Sequence, residues 1–174
     1  MSRPRDSQRQ KVYNAESVLV IHRKDFKTLD EIKKFVDKVF ARKMIAKRYD
    51  VGDKITFVLN SGRISYASYY VSTISLSRMY GMNDWIVLHE MAHLLAFRKY
   101  GTNIAGHGWQ FVSTYLDLVL RIMGKSAHDD LLKSFKNHKV KFKEPRAKRV
   151  LTEEQREILV ARMAKARAAK KKTI

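Results

Sequence analysis

His89, Glu90 and His93 occur in the order His-Glu-Met-Ala-His, a spacing suited to metal-assisted chemistry. Four residues is close to one helical turn, so in a helix both imidazoles project from one face and can offer two nitrogens to a single divalent ion. Glu90 falls about 100° further round the helix, which puts its carboxylate beside the open coordination position of that ion rather than on it. That is where a general base belongs. A catalytic zinc takes three protein ligands and keeps the fourth position for water, so one more donor is needed downstream. Between His93 and the end of the following helix the candidates are His107 and Asp117. His107 is favoured because it lies where a loop meets a helix, and the positive end of the helix dipole there favours the neutral, metal-binding ring. The remaining histidines, His22, His128 and His138, have no such context and read as surface or local hydrogen-bonding residues.

The elements that must position these residues follow from periodicity and caps. Residues 85–100 form a strongly apolar helix, capped by Asn83 or Asp84 and stopped by Gly101, with the His-Glu-x-x-His string in its middle. Two histidines and a glutamate with no task would bury three polar groups there without reason. A Gly-containing loop over 101–108 leads to a second helix over 109–123, with Phe111, Tyr115, Leu118, Val119 and Ile122 at core spacing and Gly124 at its end. Upstream, Ile32, Phe35, Val36, Val39 and Phe40 give an amphipathic helix over 29–42, capped by Thr28 or Asp30. The runs 54–60 and 64–70 flank the turn Asn60-Ser61-Gly62-Arg63 and predict a hairpin. Residues 71–76 predict a further strand, whose serines and threonine give it the wet side of an edge. A short helix near 130–135, a basic loop ending at 144–145, and a last helix opened by the capping box Thr152…Gln155 complete the reading.

This is an α+β chain with an N-terminal helix, a small three-stranded, mainly antiparallel sheet, two metal-ligand helices and a basic C-terminal helix. Its expected organisation is a basic N-terminal segment over 1–28, a catalytic domain over 29–125 and a basic C-terminal extension over 126–174.

Composition excludes several classes. Among 174 residues there is no cysteine, which removes disulfide scaffolds, cysteine zinc ribbons and thiol nucleophiles, so a metal must be held by histidine and carboxylate. The first ten residues are polar and no apolar run reaches the roughly 18 residues needed to cross a bilayer, so a soluble cytoplasmic protein without a membrane partner is expected. Lys plus Arg number 36 against 17 Asp plus Glu, a formal charge of +19. Residues 1–48 hold 14 basic and 6 acidic side chains, residues 49–132 hold 7 of each, and residues 133–174 hold 15 and 4. A neutral centre between cationic arms fits a middle that does chemistry and flanks that neutralise the phosphates of a nucleic acid. The competing classes are a metallohydrolase acting on a soluble peptide or amide with incidental basic flanks, and a basic nucleic-acid-binding protein whose metal-site core is only structural.

His89-Glu90-x-x-His93, followed by His107-Gly108-x-x-Phe111, resembles the SprT-like zincin metalloproteases, the group that includes the Spartan proteases. The resemblance covers about residues 29–123. It implies that His89, His93 and His107 hold Zn2+ and that Glu90 is the catalytic general base for hydrolysis of a protein or peptide substrate. It further implies a zincin-like fold in which an edge strand, within 71–77, pairs with an extended peptide. Residues 6–16 are also similar to small metallohydrolases of phages and actinobacteria. The absence of cysteine departs from the zinc ribbon that many SprT-like proteins carry after the catalytic domain.

Overall fold

The computed structural model describes residues 4–49, 55–143 and 152–171, with side chains described to residue 164 in the last stretch. The chain divides into two compact units, Met1–Glu144 and Pro145–Ile174. In the first unit α1 (Arg9–Glu16) runs into a 3-10 turn (Ser17–His22), then α2 (Leu29–Phe40) and α3 (Lys43–Arg48). Strands β1 (Thr56–Asn60), β2 (Tyr66–Ser68) and β3 (Thr73–Ser77) precede α4 (Asp84–Tyr100), α5 (Trp109–Ile122) and α6 (Lys125–Asn137). The second unit contains α7 (Glu153–Lys171). The architecture is α+β, as expected.

Local chemistry sets the starts of α2, α4 and α7 as read from the chain. Thr28 accepts a hydrogen bond from the Glu31 backbone at the start of α2, and Asn83 accepts from the Ile86 backbone at the start of α4. Gly101, at φ +80°, ends α4 in a conformation that a side chain rarely adopts. Because α4 is buried almost all round, through Val87, Leu88, Met91, Ala92, Leu94 and Leu95, it is the central element, packed between α5 and the sheet. Thr152 and Gln155 exchange the two hydrogen bonds of a capping box at the start of α7.

The sheet departs from the expected hairpin. Its order is β1-β3-β2, with β1 parallel and β2 antiparallel to β3, so it is mixed rather than mainly antiparallel and β1 does not pair with β2. The strand expected at the edge lies in the middle. Its serines are buried rather than wet: Asn60 Nδ2 donates to Ser75 Oγ at 2.8 Å, and Ser77 Oγ donates to the Gly62 carbonyl at 2.7 Å. The turn residues close over β3 and link two strands that do not pair with each other, while Ile74 and Leu76 fill the core at 0% exposure.

The segment before residue 28 and the helix after 125 share the core with everything between them. Val12, Ala15 and Leu19 lie with Ala127, Leu131 and Phe135 in the same cluster of buried side chains, and Ser134 Oγ donates to the Ala15 carbonyl. The site-bearing unit is therefore Met1–Glu144 rather than 29–125. Helix α6 also runs longer than the 130–135 expected from its pattern. The basic loop expected to end at 144–145 lies partly outside the described residues.

Candidate metal centre

His89 and His93, one turn apart on α4, and His107, just ahead of α5, converge. One ligand atom from each lies within 4.8 Å of the other two, an arrangement that can hold a metal ion. The Nε2 atoms of His89 and His93 are 3.2 Å apart. Two nitrogens about 2.0–2.1 Å from a tetrahedral ion stand roughly 3.3 Å apart, so the pair already has the bite of a metal site. His107 Nε2 is buried and has no hydrogen-bond partner among the described residues. An orphaned acceptor of this kind is costly unless something else satisfies it, and a cation shared with two neighbouring rings would do so. The three imidazoles form a donor set that can hold a metal ion.

Each ring is held from behind. His89 Nδ1 donates to Glu16 Oε2 at 2.6 Å, and His107 Nδ1 donates to Asp6 Oδ2 at 2.7 Å. Such bonds fix the tautomer that leaves Nε2 free for a metal. The His93 ring bonds to the backbone of Gly106. Asp6 also accepts from the His107 backbone, and Gln8 Nε2 donates to the His107 carbonyl, so the N-terminal segment straps the third histidine in place. A Cβ at position 106 would stand 3.0 Å from Asp6 Oδ2, which makes this approach easiest for glycine. Phe111 lies among the three rings, stacked on His93 with centroids 4.2 Å apart and edge-on to His89 and His107 at 4.9 Å.

The electrostatics favour the neutral form of two of the three rings, His93 and His107. Burial, followed by the neighbouring rings, holds His93 well below the usual imidazole range. Burial also lowers His107 to about 4, with the Asp6 hydrogen bond opposing it. The expected direction holds for His107, but burial is its leading cause. Burial opposes charge on His89 as well, yet Glu16 and then Glu90 lift this ring above its ordinary value.

No protein-family model, curated protein or solved structure matches this chain. The chemistry of its own residues therefore carries the functional argument.

Glu90 is 6% exposed and its carboxyl is pushed up to about 7, chiefly by burial, with His89 opposing the shift and Glu16 adding to it. A backbone bond from Ala67 in β2 holds it. Glu90 and His89 line a hollow of about 400 Å3 together with Arg9, Tyr13, Glu16 and Tyr80. Tyr13 reaches over the site, its ring 5.0 Å from that of His107 and 5.7 Å from that of His89. Burial, then Glu90 and Glu16, raise its pKa, so its phenol stays protonated.

Asp117, the alternative third ligand, is engaged elsewhere. It accepts from Tyr49 and from Arg121 Nε at 2.9 Å, and pairs with Arg48. His22 pairs with Asp130, and His128 and His138 make local bonds. Sequence reasoning assigned no role to Asp6, Glu16 or Tyr13. The available signal was the 6–16 stretch already marked by its likeness to small metallohydrolases.

Proposed function

We propose that this protein is a zinc-dependent metallopeptidase of the SprT-like, zincin kind, acting on a protein or peptide held near nucleic acid. The observation that carries the reading is the three-histidine cluster with a buried glutamate beside it. Three imidazoles and a free fourth position suit catalytic zinc, which when bound polarises a scissile carbonyl and lowers the pKa of water towards about 7.

The chain's own groups supply the rest. Glu90, poised near neutrality, takes the proton of the attacking water and hands it to the leaving amine. Ala67, on an edge strand of the sheet, aims that carboxylate. The Tyr13 phenol donates to the oxygen on which negative charge develops. An extended substrate pairs with β2, which among the described residues has a strand neighbour on one side only and packs against α4. This moves the peptide-pairing role from the 71–77 strand, which is central, to Tyr66–Ser68.

The basic arms support the nucleic-acid part of the reading, since 15 of the 36 Lys and Arg residues fall within 133–174 against 4 acids. The deciding experiment incubates zinc-loaded protein with an unfolded DNA-binding protein, with and without DNA. We expect cleavage that DNA accelerates and that Glu90→Gln abolishes. Full cleavage by Glu90→Gln would contradict the mechanism. Cleavage indifferent to DNA would leave a peptidase for soluble substrates.

A further inference from the structure

Arg9 on α1 and Arg63 in the β1–β2 connection line the same hollow as Glu90 and His89. Both are exposed, and neither makes an ion pair with any described residue. The two acids in this hollow do not answer them. Glu16 is 4% exposed and is committed to His89, while Glu90 is buried and held by Ala67. The charge that the hollow presents to an incoming group is therefore cationic, carried by two planar guanidiniums. Its other walls are Ile64, Ser65, Ile86 and the rings of Tyr13 and Tyr80.

We propose that this hollow is a specificity subsite for a carboxylate side chain, so that the preferred substrate is a peptide with an aspartate or glutamate close to the bond that is cut. The proposal rests on the peptidase reading and adds the substrate class to it. Guanidiniums pair with carboxylates through two parallel hydrogen bonds, a planar fork that suits a carboxylate side chain. A recess of about 400 Å3 beside Glu90 suits a side chain on a linear peptide better than the backbone of a duplex. The subsite also explains why cationic side chains stand beside a centre that must itself bind a cation: they compensate for a group that the substrate brings.

The test uses the full chain carrying Glu90→Gln and a set of alanine–serine dodecapeptides with one glutamate at successive positions, beside their glutamine and lysine counterparts. Binding is read by fluorescence anisotropy, independently of turnover. At the best position the glutamate peptide should bind roughly threefold to tenfold more tightly than its glutamine counterpart. Adding Arg9→Gln and Arg63→Gln should remove that preference and leave the glutamine peptide's affinity unchanged. Equal affinities, no measurable binding, or a glutamate preference that survives the double substitution would overturn the proposal. So would a single-stranded oligonucleotide that displaces the peptide and loses its own affinity in the same double variant, because the site would then serve phosphate. Cleavage of the same peptides by the zinc-loaded wild type separates the two claims. Peptides bound by charge but left uncut sink the peptidase reading alone, and cleavage blind to charge sinks the subsite alone.

Discussion

Glu16 Oε2 accepts a hydrogen bond from His89 Nδ1 at 2.6 Å across 73 residues of sequence. The bond ties α1 to the centre of α4 and leaves the opposite ring nitrogen of His89 facing His93. Tyr115 of α5 stands on the other side, its ring 5.5 Å from that of His89 and its hydroxyl donating to the Trp85 carbonyl. A buried carboxylate paired in this way is a built support for the ring, since an unpaired charge there would be costly.

Glu16→Gln should weaken zinc binding by roughly tenfold to a hundredfold, as losses of such supporting partners do. Asp6→Asn should act in the same direction through His107. Competition with a chromophoric chelator reads both. Zinc affinity unchanged in both variants would show that the carboxylates do not orient the rings.

Tyr13→Phe removes one hydroxyl from the mouth of the site. It should lower kcat by about a hundredfold or more while leaving KM and zinc content near wild type. A change confined to KM would make Tyr13 a substrate contact instead.

Phe111 is 0% exposed and touches all three histidine rings. Phe111→Ala should cost about 3–5 kcal/mol of stability, measured by urea unfolding of the metal-free protein. Phe111→Leu should cost less. A surface-like loss below about 0.5 kcal/mol would mean that the ring is not part of the core holding the ligands.

Glu90 gives the pH dependence of the metal-free protein. Its folded pKa is raised from 4.5 to about 7, chiefly by burial, so the fold favours the protonated form. That contribution is complete below 4.5 and is lost as pH rises through 7. Glu90→Gln should therefore be more stable than wild type at pH 8, by on the order of 3 kcal/mol, with the gap closing towards pH 4.5. Thermal melts across this range check the sign. A gap that widens on acidification would contradict the buried, uncharged state.

Much of this site was legible in the chain because its signals are local. The caps at Thr28 and Asn83, the stop at Gly101 and the four-residue step from His89 to His93 are all written within a turn or two of helix. His107 needed only the inference that a loop folds back. Strand order was not legible, since the turn signal at Asn60-Ser61-Gly62 does not say which strand fills the neighbouring slot. The alternating serines of β3 mimic a wet face until their hydrogen bonds to the turn are known. Helix α1 escaped because its buried set is only Val12, Ala15 and Glu16, and a buried glutamate defeats hydrophobic periodicity. Asp6 and Glu16 act across 101 and 73 residues of chain, a distance at which spacing says nothing.

The most direct measurement is metal content of the purified chain by elemental analysis, with nitrogen coordination read by X-ray absorption. One zinc per chain is expected, bound by three imidazoles, retained in Glu90→Gln and lost in His107→Ala. Wild-type protein that binds no zinc when offered it, or His107→Ala that binds it as tightly, would contradict the central claim.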